Sequence, residues 1–241
     1  MFGKHRLIRR IALAAAIASA PLAASAATMV IYQQLSSSAF GGNGYSAATI
    51  KESALLKKGA NIYAGGFAVK GNLNGNGIEN FTAWCLDIAT TLRLSSSYRT
   101  TTTPFASGPI SKGTIENIAR LFETGYKGLD LTKASQSAGF QLALWEVMYE
   151  TTKSFSLYDG NFSASNSTKA IERAQKLLAG MSGPITRRYS MTYLESYDVR
   201  AWNKHYSQHL VTVQAVPLPA GGLLLIGALG ALAALRGRKA A

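Results

Sequence analysis

The stretch that decides the fold is SQSAGFQLALWEVMYE, residues 135–150. Between positions 138 and 149 only Gln141 and Glu146 are strongly polar, so a helix built from it is apolar nearly all round. Such a helix has to be buried between other elements. A second helix is predicted before it, where Ile115, Ile118, Ala119 and Phe122 recur at i, i+3, i+4 and i+7, with Thr114 as N-cap and Gly125 as a left-handed stop. A third is predicted over 168–181, with Ile171, Ala174, Leu177 and Leu178 inward and Gly180, Gly183 and Pro184 ending it.

On both sides of this helical middle the sequence reads as β. Residues 28–35, 60–69 and 79–88 are rich in β-branched and aromatic residues, and Gly/Asn/Ser clusters at 36–46 and 71–80 separate them. After the helices, 188–194 alternates Tyr189, Met191 and Tyr193, and 209–215 is a short Val/Thr run. Strands, then helices, then strands argue for an α+β fold: a single antiparallel β-rich domain with a central helical insert of about three helices.

The two ends read as export machinery. Lys4, Arg6, Arg9 and Arg10 precede an apolar run over 11–20, and Pro21 and Ala24-Ser25-Ala26 follow it. This is the pattern of a secretory signal peptide, residues 1–26, cut after Ala26. The run is well short of the ~20 apolar residues a bilayer span needs. At the other end, 218–235 carries no charge and is followed at once by Arg236, Arg238 and Lys239, the signature of a transmembrane helix with its basic end in the cytoplasm. The segment between, residues 27–215, is then one exported domain. Its precursor would be membrane-anchored and face the periplasm or exterior.

The formal charge of +13 points to nucleic acid only until its distribution is read. Seven of the basic residues lie in the two ends and no acid offsets them there, which leaves +6 for the exported part. No run of Arg/Lys interleaved with stacking aromatics forms a nucleic-acid module, and nucleic acid is not expected as a partner. No cofactor is expected. His205 and His209 have a metal-like spacing, but the residues after them read as a strand and no third ligand is evident.

Two side chains are left without a place in this fold. Cys85, in Phe81-Thr82-Ala83-Trp84-Cys85-Leu86-Asp87, is the single cysteine of an exported chain. It is an intermolecular bridge, an inert buried side chain or a chemical group. Gln141 puts an amide near the start of the most apolar helix, where an unpartnered amide costs on the order of 1 to 3 kcal/mol. One reaction accounts for both: the Cys85 sulfur attacks the Gln141 side-chain carbonyl, ammonia leaves, and an internal thioester joins strand to helix. Such an activated acyl group then acylates an amine or a hydroxyl. In a strand Cys85 and Asp87 share a face opposite Trp84 and Leu86, so Asp87 is placed to influence proton transfer, or else makes a strand-end hydrogen bond. Trp145, one turn after Gln141, would shield the bond from water or simply pack.

Two resemblances follow from these residues. Trp84-Cys85-Leu86-Asp87 with Phe140-Gln141-Leu142-Ala143-Leu144-Trp145-Glu146 resembles the Cys-then-Gln-x-Ala-x-Trp signature of thioester domains in bacterial surface adhesins, and similar pairs in exported proteins with PEP-CTERM-type tails. It implies a mixed β and helical domain with Cys on a strand and Gln at a helix start. The Thr usual before the glutamine is Phe140 here, a departure from the pattern. Val216-Pro217-Leu218-Pro219-Ala220, the apolar span and the basic end together (216–241) resemble the VPLPA variant of PEP-CTERM sorting signals. That implies an exosortase-type membrane protease as partner and delivery to the cell surface or extracellular matrix. The function expected is attachment without enzymatic turnover, through a Cys85–Gln141 thioester; the alternative is a non-covalent structural or matrix protein of the same fold with an inert buried cysteine.

Overall fold

The computed structural model describes residues 28–34, 38–73, 77–93, 96–102, 110–151, 154–196 and 207–216. The expected signal peptide with Ala26, Pro217 to Ala220 of the sorting motif, the apolar span and the basic end all lie outside the described residues. Among those described, no helix is long and apolar enough to cross a membrane.

Over the described residues the fold is α+β with antiparallel strand pairing and three helices. Six strands close a barrel: β1 (Thr28–Gln34), β4 (Phe67–Gly71), β5 (Glu79–Cys85), β9 (Leu210–Ala215), β8 (Tyr189–Ser196) and β6 (Ser96–Thr101), in that order around the wall. A separate sheet has the order β3 (Leu56–Ala64), β2 (Ser46–Glu52), β7 (Phe162–Ser165). The helices are α1 (Lys112–Gly125), α2 (Ala134–Tyr149) and α3 (Thr168–Ala179).

As its composition requires, α2 is enclosed. Every residue from Ser137 to Val147 is buried, and the helix touches α1, α3, all three strands of the small sheet and β5 of the barrel. Its neighbours α1 and α3 are amphipathic, and α3 buries Ile171, Ala174, Leu177 and Leu178 as the periodicity predicts.

Several boundaries differ from the sequence reading. The strand expected over 60–69 is two strands, broken at Gly65-Gly66. A Cβ on Gly66 would stand 2.7 Å from Thr82 Cγ2 and 3.0 Å from the Trp84 ring, so the chain turns there where only glycine fits. The strand expected over 79–88 ends at Cys85. Strands β2, β6 and β7 were not anticipated: Ala48 and Ile50 alternate inward along β2, but small residues between them mute the apolar signal. Since β7 lies between α2 and α3, the helical insert is interrupted by a strand. The N-cap of α1 is Ser111, whose hydroxyl accepts from Thr114 N at 3.0 Å, not Thr114 itself. Gly125 is still helical and the cap residue is Tyr126 in the right-handed region, so no left-handed stop is used.

The entry to α2 is fixed by a close approach. Gly44 N donates to Leu131 O at 2.7 Å, and a Cβ on Gly44 would lie 2.3 Å from Ala134 N. Backbone cannot yield that distance cheaply, so Gly44→Ala should destabilise the domain by roughly 2 kcal/mol, read as a lower urea midpoint with an unchanged slope.

Candidate functional site

Cross-strand neighbours share a face of the sheet. Trp84 pairs with Val211 and Val211 with Tyr193, while Cys85 pairs with Leu210 and Leu210 with Leu194, which pairs with Thr100. The Trp84 ring packs on Phe140 of α2 at 4.6 Å and edge-on to Tyr126 at 6.1 Å, so its row faces the helices. The Cys85 row therefore faces the barrel interior.

The main chain of Cys85 is placed just as specifically. Thr82 O accepts from Thr212 Oγ1 and Leu86 N donates to His209 O, so even-numbered residues of β5 turn their polar groups toward β9. Odd-numbered residues turn theirs toward β4, by the alternation of an antiparallel ladder. But β4 begins at Phe67, opposite Ala83, and offers Cys85 nothing. The side-chain carboxamide of Gln141 fills that gap: Cys85 N donates to Oε1 at 2.9 Å, and Nε2 donates to Cys85 O at 2.8 Å. One buried glutamine thus stands in for a peptide group of the missing strand. The structure brings Cys85 and Gln141 together, at 1% exposure each.

Gln141 belongs to a stripe on α2 spaced four residues apart. Ser137 Oγ accepts from Gly66 N at 3.0 Å, which draws the start of β4 away from β5 and toward the helix. Trp145 comes one turn after Gln141 and is 2% exposed. Tyr149 completes the stripe: its hydroxyl donates to Leu86 O at 3.0 Å and accepts from Ile88 N at 3.2 Å. Ser137 and Tyr149 were missed in the sequence reading, although their i, i+4 spacing with Gln141 and Trp145 was there to be read.

The Cys85 thiol donates to Asp87 O at 3.1 Å. Burial pushes its pKa up to about 12; a backbone hydrogen bond with Asp87 opposes the rise, the Asp87 charge adds to it, and the nearby Trp145 indole also lowers it. At neutral pH the sulfur is held as a thiol, and a proton must leave with whatever bond it forms. Tyr98, on the barrel-interior face of β6, also lies near the sulfur and donates to Ser207 Oγ at 2.8 Å.

The expectation that Asp87 shares a strand face with Cys85 does not hold, because the strand has already ended. The Asp87 carboxylate accepts from Ala89 N at 3.0 Å in a turn, and it is the main-chain carbonyl that touches the thiol. Trp84 lies across the sheet from the sulfur and belongs to the aromatic core. Phe140 packs in that same core, 4.9 Å from Phe122 and 5.4 Å from Tyr126. His209 is half-buried, its Nδ1 accepting from Ser196 N at 3.1 Å, and burial lowers its pKa. His205 lies outside the described residues. Among the described residues no group of three or more His, Cys, Asp or Glu side chains could hold a metal ion.

No protein-family model matches the chain. No curated protein matches it either. Among solved structures it is similar to the N-terminal thioester domain of a surface protein from Clostridium perfringens, with a TM-score of 0.45, 13% identity, and coverage of 79% of this chain and 100% of that one. It is also similar to the N-terminal thioester domain of a protein F2-like fibronectin-binding protein from Streptococcus pneumoniae, with a TM-score of 0.39, 12% identity, and coverage of 73% and 95%. At these values the likeness carries no argument about what the chain does.

Proposed function

We propose that this chain is an exported attachment protein that bonds covalently, once, to an amine or hydroxyl on a surface or matrix polymer through a Cys85–Gln141 thioester. One observation carries the reading: the Gln141 carboxamide is held by two hydrogen bonds to the main chain of the very residue that bears the nucleophile. The nucleophile and the carboxamide then sit on hydrogen-bonded neighbours, which is how positioning replaces a bimolecular encounter.

The chemistry balances without a cofactor. Sulfur adds to Gln141 Cδ, the C–N bond breaks, and the thiol proton leaves with ammonia. An incoming amine or hydroxyl then adds to the same carbon, the C–S bond breaks, and sulfur recovers a proton from the nucleophile. The product is an amide or ester to the partner and a free Cys85, so there is no turnover. Export by a signal peptide cut after Ala26, and sorting by an exosortase-type protease acting at Val216 to Ala220, would deliver the domain to the surface or matrix.

A second reading has its own observation. The same two hydrogen bonds give both polar atoms of an intact Gln141 amide a partner, so a non-covalent structural protein with an inert Cys85 needs no bond at all.

The intact mass of the protein from its own cells decides between them. The first reading expects a chain that begins at residue 27 and lacks one ammonia, a deficit abolished by Cys85→Ala and replaced by an adduct on treatment with methylamine. A full-mass domain whose Cys85 alkylates freely once denatured would leave the second.

A further inference from the structure

Tyr149 lies two turns beyond Gln141 on the same stripe of α2, and its hydroxyl is engaged on both sides of Asp87. It donates to Leu86 O and accepts from Ile88 N. Between those two anchors is the Asp87 carbonyl that receives the Cys85 S–H. The Asp87 carboxylate braces the turn from within by accepting from Ala89 N, and at Ala89 the chain first becomes exposed.

We propose that Tyr149 is a positioning residue for Cys85: by pinning Leu86 and Ile88 it fixes the carbonyl that orients the thiol and keeps shut the turn that separates the sulfur from solvent. The inference rests on reading Cys85 and Gln141 as a reacting pair. With the carboxamide tied to the main chain of Cys85, the freedom left between sulfur and Gln141 Cδ is the Cys85 χ1 torsion, which has three staggered wells. The hydrogen bond to Asp87 O selects one of them. Tyr149 touches neither reacting atom and acts only through the turn. Its ring has a separate task, stacking on Phe162 with centroids 6.3 Å apart and planes at 20°, so the hydroxyl can be removed while that contact is kept.

The test compares Tyr149→Phe with the wild-type chain and with Ile171→Val, a mild core change on α3. Each protein is opened with methylamine and its native state is then alkylated with iodoacetamide across a range of pH. Tyr149→Phe should alkylate at Cys85 about tenfold faster, with its pH profile moved toward that of an ordinary thiol, and the fraction of chains that have lost ammonia should fall about fivefold. Ile171→Val should follow the wild type in all three. Tyr149→Phe with an unchanged rate and profile would overturn the proposal, as would Ile171→Val moving as far as Tyr149→Phe. A wild-type chain of full mass would defeat the thioester reading by itself, and the alkylation comparison would still decide the placing of Tyr149.

Discussion

Replacing Gln141 by alanine should cost the domain about 3 to 5 kcal/mol, far more than replacing Cys85. The truncation leaves two polar main-chain groups of Cys85 buried without a partner, each worth about 1 to 3 kcal/mol, and opens a void inside the most enclosed helix. Cys85→Ala removes only a sulfur and leaves both hydrogen bonds standing, which costs about 1 kcal/mol in a core. Urea unfolding of the two variants measures the difference. If a thioester is present in the wild type, Nε2 has left with ammonia and only the bond to Oε1 is lost on truncation, while both variants also lose a cross-link, so Cys85→Ala falls closer to Gln141→Ala. Equal losses would mean that the hydrogen bonds contribute little and that the account of Gln141 as a substitute strand is wrong.

A second large effect is expected at Glu146, a carboxyl with 0% exposure in α2. Its Oε1 accepts from Ser156 N at 2.7 Å, and its Oε2 finds no hydrogen-bond partner among the described residues. Burial drives its pKa from 4.5 up to about 8; the Ser156 N–H opposes the rise, and the charges of Glu150 and Asp159 add to it. The native state therefore binds the proton more tightly than the unfolded chain does. Stability from this group is fully present below pH 4.5, falls as pH rises toward 8, and is level above that. Glu146→Gln keeps an acceptor for Ser156 and cannot ionise. It should match the wild type near pH 4 and exceed it near pH 9 by on the order of 3 to 5 kcal/mol, at about 1.4 kcal/mol per pKa unit. Unfolding midpoints at the two pH values read this directly, and a Glu146→Gln curve parallel to the wild type would refute it.

Much of this was legible in the sequence wherever one physical signal dominated. Helix α2 announced itself because a 16-residue segment with almost no polar face has only one stable place. Strand β9 and the inward face of α3 were likewise readable from periodicity alone. Strand β2 was hidden because Ala47, Ala48 and Thr49 carry a weak apolar signal and follow a glycine-rich loop that reads as a turn. The break between β3 and β4 depends on Ser137 and Trp84, which are distant in sequence, and no local pattern encodes it.

At the site, the suspicion attached to Cys85 and Gln141 rested on composition: a lone thiol and a misplaced amide. What could not be read was that their main chain and side chain would mimic a strand pair, since that needs β4 to stop one residue pair too early. Of the two roles read for Asp87, the strand-end hydrogen bond is the one found, and the shared-face argument fails for a related reason. Face alternation was carried past Cys85, where the strand had already given way to a turn.

The division into a closed barrel and a small open sheet has a consequence for how the protein behaves in crowded surroundings. A closed wall presents no free ladder to a neighbour, so among the described residues the hazard is confined to β3 and β7. Strand β7 is only four residues long, and β3 carries the exposed pair Lys57 and Lys58 where its register with β2 shifts. Short length, positive charge and an irregular ladder all discourage edge-to-edge growth. The described strands therefore offer a neighbouring copy little on which to extend a ladder.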